Sequence, residues 1–402
     1  MNRESLEVEF VTPCFLRGSE DPGAEWRAAS IRGQLRWWLR AIAGADRPLA
    51  EVRRIEDELF GDTGRGSMVR LRTRPGAGLA PSREMRTLHT PDLNAAALAG
   101  RWGDPTAEAR LRIRSPRGLE MSSNPVFYLA FGAITGGTLR RAFLPPGAKG
   151  FLDVTWVRTP GDEIKRLFDQ SLWAWLHLGG IGSKSRKGFG SLQRLPAGSR
   201  QDFIDEMKSM LPRWSQAQPG PQWTRFSPGS RIFLGAKEER TWQDALSLLG
   251  SWLIGFRRRY GFLGETRSAN GTSLKGRDYE WLDPASPNKL AGFPDRVGFG
   301  LPLPFRRTNP RTNQAETVMV IWDSGQGDAR RASPLLLHVA HVGSGYLPVL
   351  TYLPAQLLPD GAELRFKQRP DHRPPHNPLI ATVVTRFLDD LHGKKLIEEV
   401  TL

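Results

Sequence analysis

Hydrophobic positions in the first part of the chain follow two different periods. Every second residue is apolar over 5–11 and again over 67–74, and this period of two predicts β-strands. Between them, apolar residues three and four positions apart predict a helix that Ser30 caps and that ends near Ala43. The apolar stripe of this helix comprises Leu35, Trp38, Leu39 and Ile42.

Strands and helices continue to alternate further along the chain. Apolar stretches near 126–132 and 150–158 predict strands, Asp162 caps a second amphipathic helix, and 188–195 predicts a closing strand. Residues 75–125, rich in Pro, Gly and Arg, are predicted to be an insertion. The resulting order, β-α-β-β-α-β, is that of the ferredoxin-like fold.

A second, less regular copy of this pattern follows a segment rich in Pro, Ser and Gln, 212–230, which predicts a linker. The elements predicted after it are a strand at 231–234, a helix at 241–257, strands at 317–322, 334–342 and 347–353, and a helix at 377–392. We therefore predict an α+β protein with two tandem ferredoxin-like domains, 1–211 and 231–402, of which the second is degenerate.

Composition narrows the class of protein and of partner. The 402 residues are 39% hydrophobic, enough for two packed cores. A net charge of +15 indicates a polyanionic partner, which is a nucleic acid, an anionic membrane face or an acidic protein. The single cysteine, Cys14, excludes an internal disulfide, and neither an apolar signal core nor a membrane-spanning run is present. We expect a cytoplasmic protein without a membrane span.

The segment LGGIGSKSRKGFGSL, 178–192, joins the second predicted helix to the closing strand. Two Gly-hydrophobic-Gly triplets flank three cations, and the segment fits neither a Walker A loop nor a dinucleotide fingerprint. Glycine permits positive φ and close backbone approach, and successive N–H groups can form an anion site, so the sequence predicts phosphate binding. The alternative is a tight turn. The predicted phosphate-binding residues are Gly180, Gly182, Lys184, Arg186, Lys187, Gly188 and Gly190.

The first predicted helix carries a second candidate surface. Arg32, Arg36 and Arg40 recur every four residues, the helix contains no acidic residue, and Trp37 lies beside Arg40, off the apolar stripe. Arginine binds phosphate through a planar fork, and an exposed indole is a platform on which a base can stack. The alternative is a solvated helix face, or one that pairs with the carboxylates of another subunit.

These stretches together resemble a known family. The glycine triplets, in their place between helix and closing strand, resemble the glycine-rich loop of the RAMP superfamily of CRISPR proteins. SIRGQLRWWLRAI at 30–42 and TPCFLRG at 12–18 are similar to the opening of the Cmr subunit 1 family, the large two-domain RAMPs of type III-B effector complexes. ELFGD, GFGLPLPF and RRASPLLL also resemble that family. The second half departs from the pattern, because only Gly298-Phe299-Gly300 with Arg296 partly repeats the loop.

The resemblance implies a non-catalytic RNA-binding subunit that serves antiviral defence. Its partners are a guide RNA, a target RNA and other Cmr-type subunits, and it holds RNA near the 3′ side of the guide. Neither a metal nor a cofactor is expected. Guide-based recognition requires contacts with RNA backbone and shape rather than sequence, which glycine N–H groups and cations supply.

Two alternatives stay open at this stage. One is a RAMP endoribonuclease that processes guide RNA, with His177, just before the glycine loop, or Asp62, after the first helix, as its active residue. A histidine at a helix C-terminus and a turn-forming aspartate explain the same residues without catalysis. The other is an assembly protein whose basic faces contact acidic partner subunits.

Overall fold

The structure is a computed structural model that describes residues 3–17, 23–84, 125–135, 138–212, 222–258, 295–308, 314–323, 328–359, 362–367 and 382–402. Most of the predicted insertion (85–124), part of the predicted linker (213–221) and the start of the predicted last helix (377–381) lie outside these ranges.

Strands and helices alternate along the described chain. The strands are β1 (Arg3–Phe10), β2 (Val69–Pro75), β3 (Ile134–Thr135), β4 (Thr138–Leu139), β5 (Lys149–Trp156), β6 (Leu192–Arg194), β7 (Arg231–Gly235), β8 (Leu303–Thr308), β9 (Ala315–Asp323), β10 (Asp328–Ala329), β11 (Leu335–Val342), β12 (Gly345–Tyr352), β13 (Glu363–Phe366) and β14 (Ile397–Glu399). The helices are α1 (Ala28–Ala43), α2 (Leu49–Phe60), α3 (Pro125–Leu129), α4 (Asp162–His177), α5 (Arg200–Met210), α6 (Trp242–Arg258) and α7 (Thr382–Gly393). A 3-10 helix spans Asp295–Phe299.

The first half forms a four-stranded antiparallel sheet in the order β2-β5-β1-β6. The pairing of β1 with β5 places Leu6 opposite Leu152, and both are buried. Along the chain, α1 follows β1 and α4 follows β5. The two helices pack on one another. The predicted strands at 5–11, 67–74 and 150–158 are confirmed, because alternating burial imposes the period of two.

Some boundaries differ from the prediction. Helix α1 begins at Ala28 after Arg27, so Ser30 lies inside its first turn and is not its cap. Asp162 is likewise the first residue of α4, where a carboxylate favours the helix dipole, and Gly161 is the N-cap. The stretch 126–132 forms the short helix α3 and a turn rather than a strand, since a short apolar run suits either element when it is fully buried.

The second half repeats the spatial order of the first. Its main sheet is antiparallel, with the order β11-β12-β7-β14. Along the chain, α6 follows β7, and α7 lies between β12 and β14. A further antiparallel sheet contains β10, β9 and β13, with β8 paired to β9. The molecule is therefore a mixed α/β protein with antiparallel sheets. Within the described ranges, no helix is long and apolar enough to cross a membrane.

The two halves share a core. The ring centre of Trp38, on α1, lies 6.5 Å from that of Phe226, which belongs to the predicted linker. The N–H of Phe226 also donates to the carbonyl of Ala41. Leu336 and Val349, from the second sheet, belong to the same buried cluster as Trp38. The described part of the linker, 222–230, therefore packs against the first half instead of merely connecting it to the second.

Candidate nucleic-acid interface

The glycine loop leaves α4, turns back on itself and enters β6. Gly190 has a φ of +64°, and a Cβ added there would collide with the carbonyl of Ile181. The N–H of Gly190 donates to the carbonyl of Pro13 at 3.0 Å, and that of Ile181 to the carbonyl of Gly190 at 3.0 Å. A Cβ on Gly180 would lie 3.0 Å from that same Gly190 oxygen. The two glycine triplets therefore pack on one another.

The other two predicted glycines let neighbouring elements come close. Gly182, with φ +87°, would bring a Cβ within 2.8 Å of the carbonyl oxygen of Phe15. Gly188, with φ +82°, would bring one within 2.6 Å of the Leu246 side chain on α6. Gly180, Gly188 and Gly190 are buried. The close approach that these glycines permit is thus to the chain itself, and phosphate contact by their N–H groups stays a prediction.

Residues 182–187 form the arc of the loop that solvent reaches, since all six are half-buried. Lys184 takes the left-handed conformation, with φ +67°, and its carbonyl accepts the N–H of Lys187 at 2.7 Å. Arg141, on the segment after β4, donates from Nη1 to Oγ of Ser183 at 2.7 Å. The arc is thereby tied to a neighbouring arginine that lies far away in sequence.

Positive charge is crowded at this arc. Burial lowers the pKa of Lys184, and the charges of Arg141 and Arg330 lower it further. Both arginines are exposed. Within the described ranges, none of the three forms an ion pair with a carboxylate. We call Lys184, Arg141 and Arg330 the cation cluster.

Arg186, within the arc, joins the two halves. Its guanidinium Nη1 donates to the carbonyl of Ser333, and its Cζ lies 4.8 Å from the centre of the Trp37 ring. Burial, and then the charge of Arg331, lower the pKa of Arg186 to about 10, so it stays charged at neutral pH. Lys187 continues this junction through a β-bridge to Leu337. These two predicted phosphate ligands also connect the glycine loop to the second sheet.

The predicted arginine track on α1 is partly paired within the chain. Nε of Arg36 lies 2.6 Å from Oε1 of Glu56, and Nε of Arg40 lies 3.6 Å from Oε2 of the same carboxylate. Arg32 donates to the carbonyl of Phe60 at 3.3 Å. Glu56 is buried on α2, a helix that the sequence analysis did not predict. For Arg36 and Arg40, the acidic partner foreseen in another subunit is therefore supplied by the chain itself.

The two adjacent tryptophans of α1 have different surroundings. Trp38 is 1% exposed, which confirms its predicted core position. Trp37 is half-buried, with one face covered by the guanidinium of Arg186 and its ring 4.9 Å from that of Trp38. A base that stacks on Trp37 therefore needs its other face, and this contact stays a prediction.

The two catalytic candidates have different surroundings. His177 is 3% exposed and stacks on Trp173 at 4.9 Å, and burial, followed by the charge of His338, lowers its pKa to about 3. Asp62 is exposed, but its Oδ1 accepts the N–H groups of Gly64 and Arg65 at 2.7 and 2.8 Å. One residue is thus a packed core side chain, and the other shapes a turn. The part of the chain that the structure describes contains no cluster of three potential metal ligands.

Sequence reasoning missed two members of the cation cluster. Arg141 and Arg330 each belong to a pair of adjacent arginines, at 140–141 and 330–331, which was the available signal. Neither pair lies near the glycine loop in sequence, so only the fold brings them to it. In the second half, Gly300 takes φ +113°, and Arg296 is buried against the Phe305 ring, 4.9 Å from its centre.

Comparisons with known proteins agree with the motifs. A family model described as the RAMP superfamily matches residues 7–193. The Cmr subunit Cmr1-2 of the CRISPR system of Pyrococcus furiosus is 26% identical over 200 residues, which cover 47% of this chain and 92% of that protein. Cmr1-1 of the same organism is 29% identical over 228 residues, or 52% of this chain and 56% of that protein.

The fold is also similar to a solved structure. The crystal structure of Cmr1 from Pyrococcus furiosus, in its apo form, aligns with a TM-score of 0.54. The alignment covers 100% of this chain and 99% of that one, at 18% identity. With the family match over the first half and the two Cmr1 relatives, the resemblance carried by the glycine loop and the first helix is confirmed. The chain is similar to the RAMP superfamily over residues 7–193 and to Cmr subunit 1 proteins over about half of its length.

Proposed function

We propose that this chain is a non-catalytic RNA-binding subunit of a type III-B Cmr ribonucleoprotein complex. In this role it holds guide RNA and target RNA near the 3′ side of the guide. The observation that carries the proposal is the cation cluster of Lys184, Arg141 and Arg330 at the solvent-facing arc of the glycine loop. Three positive side chains held close together without a carboxylate repel one another. The phosphates of an RNA backbone would relieve that repulsion.

The partners are proposed from the relatives and from charge. Both curated relatives are named as subunits of a CRISPR Cmr system, and we transfer that assembly to this chain. The net charge of +15 suits a polyanion as large as RNA. Contacts made by Lys184 and arginine guanidinium groups follow the backbone of a strand, as recognition through a guide requires.

A non-catalytic role is supported by the surroundings of the two candidates. His177 is enclosed between Trp173 and Phe203, and Asp62 holds a turn. A general base must reach the proton that it abstracts, and a neutral side chain buried among aromatic rings does not meet a 2′-hydroxyl of bound RNA. Cleavage in the complex is therefore assigned to other subunits.

We also propose that the two main sheets are two copies of a ferredoxin-like unit, within residues 1–211 and 231–402. The support is their common order, in which the second, third, first and fourth strands along the chain lie side by side, with helices after the first and the third strand. The second copy carries an added sheet and no intact glycine loop.

Replacing the cation cluster tests the RNA-binding proposal. The triple variant Lys184→Ala, Arg141→Ala, Arg330→Ala should bind single-stranded RNA at least tenfold more weakly, or ~1.4 kcal/mol. The magnitude of the log–log salt slope should fall by about 2, because each phosphate contact with a single strand contributes about 0.7. Both quantities come from fluorescence anisotropy titrations between roughly 50 and 200 mM KCl.

A matched control removes three exposed cations elsewhere, at Arg53, Lys208 and Lys237. It lowers the net charge equally and should retain wild-type affinity and salt slope to a good approximation. A folded triple variant with unchanged affinity and slope contradicts the proposal. The same titrations, run with intact-length analysis of the RNA with and without EDTA, should show no cleavage; cleavage would favour the endoribonuclease alternative.

A further inference from the structure

The face of the first sheet that points away from α1 and α4 carries a group of arginines. Val69 and Leu71 of β2 belong to the buried cluster that includes those two helices, so the residues that alternate with them lie on the opposite face. In the antiparallel register, β5 and then the first residues of β1 continue this face. We call its four arginines, Arg3, Arg70, Arg72 and Arg74, the arginine face.

Asp153 of β5 fixes two of these arginines. Nε and Nη2 of Arg74 donate to its two carboxylate oxygens at 2.8 and 3.1 Å, and Nη2 of Arg3 donates to Oδ2 at 2.9 Å. The Asp153 side chain is 2% exposed, and its hydrogen bonds, above all those from Arg74, hold the pKa of its carboxyl well below the usual range. The guanidinium of Arg74 also lies 4.7 Å from the centre of the Phe151 ring. One carboxylate therefore faces two ordered cations, and this part of the face keeps a positive charge.

Arg70 and Arg72 are not neutralised in this way. Both residues are exposed, and within the described ranges neither forms an ion pair. In register, Arg70 lies opposite Thr155, which has no charge, and Arg72 lies opposite Asp153, whose carboxylate is already occupied. Because residues two apart in a strand lie on one face about 7 Å apart, the two arginines form a short row of positive charge along β2.

The arginine face lies across the first sheet from the glycine loop. The strand order is β2-β5-β1-β6, and the loop enters β6. Three strand spacings of about 4.8 Å place β2 roughly 14 Å from β6. Nearer to β6, this face of β1 contacts the second half, because Oε2 of Glu9 lies 3.0 Å from Nδ1 of His341. The arginine face is therefore a surface separate from the cation cluster.

We propose that the arginine face is a second RNA-binding surface, in which Arg70 and Arg72 contact phosphates of a single strand. The inference rests on the RNA-binding function proposed above and adds a site to it. Arginine binds phosphate through its planar fork, and phosphate contacts follow a backbone without reading its sequence. A protein partner fits less well, because the centre of a stable interface is apolar and depleted of charge, whereas the exposed residues of β2 on this face are arginines.

The test measures the affinity of the full chain for fluorescein-labelled polyuridine RNA by anisotropy. The variant Arg70→Thr, Arg72→Thr keeps residue types that suit a strand and should bind more weakly than the wild type. Two phosphate contacts contribute about 1.4 to the log–log salt slope of a single strand. Raising KCl from roughly 50 to 200 mM should therefore reduce the affinity of the variant by a factor about seven times smaller than for the wild type.

Two further variants control for charge and for position. Arg70→Lys, Arg72→Lys retains both charges and should stay within a few-fold of wild-type affinity with an unchanged salt slope, since lysine binds phosphate as a point charge. Arg53→Ala, Arg166→Ala removes two exposed arginines from α2 and α4 and should also retain both quantities. Circular dichroism of each variant checks that it is folded.

The outcomes separate this proposal from the one on which it rests. A weaker affinity and a smaller slope in the threonine variant, with wild-type behaviour of both controls, support the arginine face. An equal loss in the Arg53→Ala, Arg166→Ala control overturns it, since net charge alone would then explain the effect.

A folded threonine variant with unchanged affinity and slope overturns it as well. The same holds if that variant binds RNA normally and instead fails to associate with another Cmr-type subunit, which would assign the face to a protein contact. RNA binding at the glycine loop stands in both cases if the cation-cluster triple variant loses affinity in the same assay. A wild-type chain that binds no polyuridine overturns both proposals.

Discussion

Single residues in the glycine loop decide how closely the chain can fold on itself. Gly190 combines two requirements, a positive φ and an approach to the Ile181 carbonyl that admits no side chain. Gly147 also has a positive φ, +77°, but a Cβ there would meet open space, and Gly66 has neither restriction. Gly147 and Gly66 therefore serve as controls that separate the effect of a positive φ from the effect of the steric collision.

We expect Gly190→Ala to lose at least ~4 kcal/mol of unfolding free energy, or to fail to fold, because backbone strain and a backbone collision act together. Gly147→Ala should lose about 1–2 kcal/mol, the cost of a left-handed conformation alone. Gly66→Ala should stay within ~0.5 kcal/mol of wild type. Urea unfolding of the three variants measures this order. A Gly190→Ala variant as stable as Gly147→Ala would show that the triplets do not pack as described.

The adjacent tryptophans of α1 give a second prediction at this scale. Trp38→Ala should lose ~3–5 kcal/mol of stability, because the buried indole leaves a cavity. Trp37→Ala should lose less, about 0.5–1 kcal/mol, since its ring is only half-buried and one face contacts the guanidinium of Arg186. Thermal unfolding of both variants distinguishes the two positions, and the same Trp37→Ala protein tests base stacking by its RNA affinity. Equal losses of stability would place both rings in the core.

Secondary-structure elements meet at buried histidines between the halves. Nδ1 of His338, on β11, lies 2.7 Å from the carbonyl oxygen of Gly179, at the end of α4. Burial lowers the pKa of His338 to about 4 and, with the charge of His338, that of His177 to about 3. His341 lies three residues further along β11, where the carboxylate of Glu9 raises its pKa.

We expect the free energy of unfolding to fall as the pH is lowered from about 6.5 to 4. In this range the unfolded chain binds protons at His177 and His338, whereas the same side chains stay neutral in the folded protein. The stability contributed by these depressed pKa values is complete above about 6.5, and two such groups give a slope of up to ~2.7 kcal/mol per pH unit. Denaturant titrations at several pH values measure it.

The double variant His177→Gln, His338→Gln should show a flatter profile over that window, whatever its absolute stability. His341→Gln should leave the slope in that window nearly unchanged. It should instead remove a loss of stability above about pH 6.5, because a raised pKa stabilises the native state at low pH and that contribution is lost as the pH rises through the raised pKa. A wild-type slope preserved in the double variant would mean that other groups cause the pH dependence.

At the scale of the whole molecule, the glycine loop holds the two halves together. Gly188 contacts Leu246 on α6, Oγ of Ser191 accepts the N–H of Val339, and Arg186 reaches the carbonyl of Ser333. Phe189 is buried in a cluster with residues of α6 and β11. One side of the loop therefore forms a buried interface between the two halves, and the other side is a candidate RNA-binding surface.

Because the two halves share this buried interface, we expect that residues 1–211 expressed alone do not unfold cooperatively. The fragment would expose the apolar surface around Phe189 that α6 and β11 cover. Co-expressed with residues 222–402, it should form a stable one-to-one complex in size-exclusion chromatography. The charge-reversal variant Arg186→Glu, which breaks the contact with Ser333, should weaken that complex. A fragment 1–211 that is monomeric and cooperative on its own would show that the halves are independent domains.

Prediction from sequence succeeded where a local pattern reports burial directly. The strands at 5–11 and 150–158 and the stripe that contains Trp38 were found from their periods, because a side chain's burial repeats with the geometry of its own element. The same reasoning missed α2, and hence Glu56, although that residue is the partner of Arg36 and Arg40. It also missed the closing strand β14, since three residues are too few to show a period.

The sequence by itself determined the order of the main elements, the RAMP resemblance and the presence of a glycine-rich loop with cations. Each of these depends on residues that are close together in the chain. The tertiary structure decided which face of that loop is buried, which arginines are paired and which cations are crowded. Lys184 meets Arg141 and Arg330 only in the folded chain, and no local pattern encodes an encounter between segments so far apart. Charge accumulates at this surface because packing places it there.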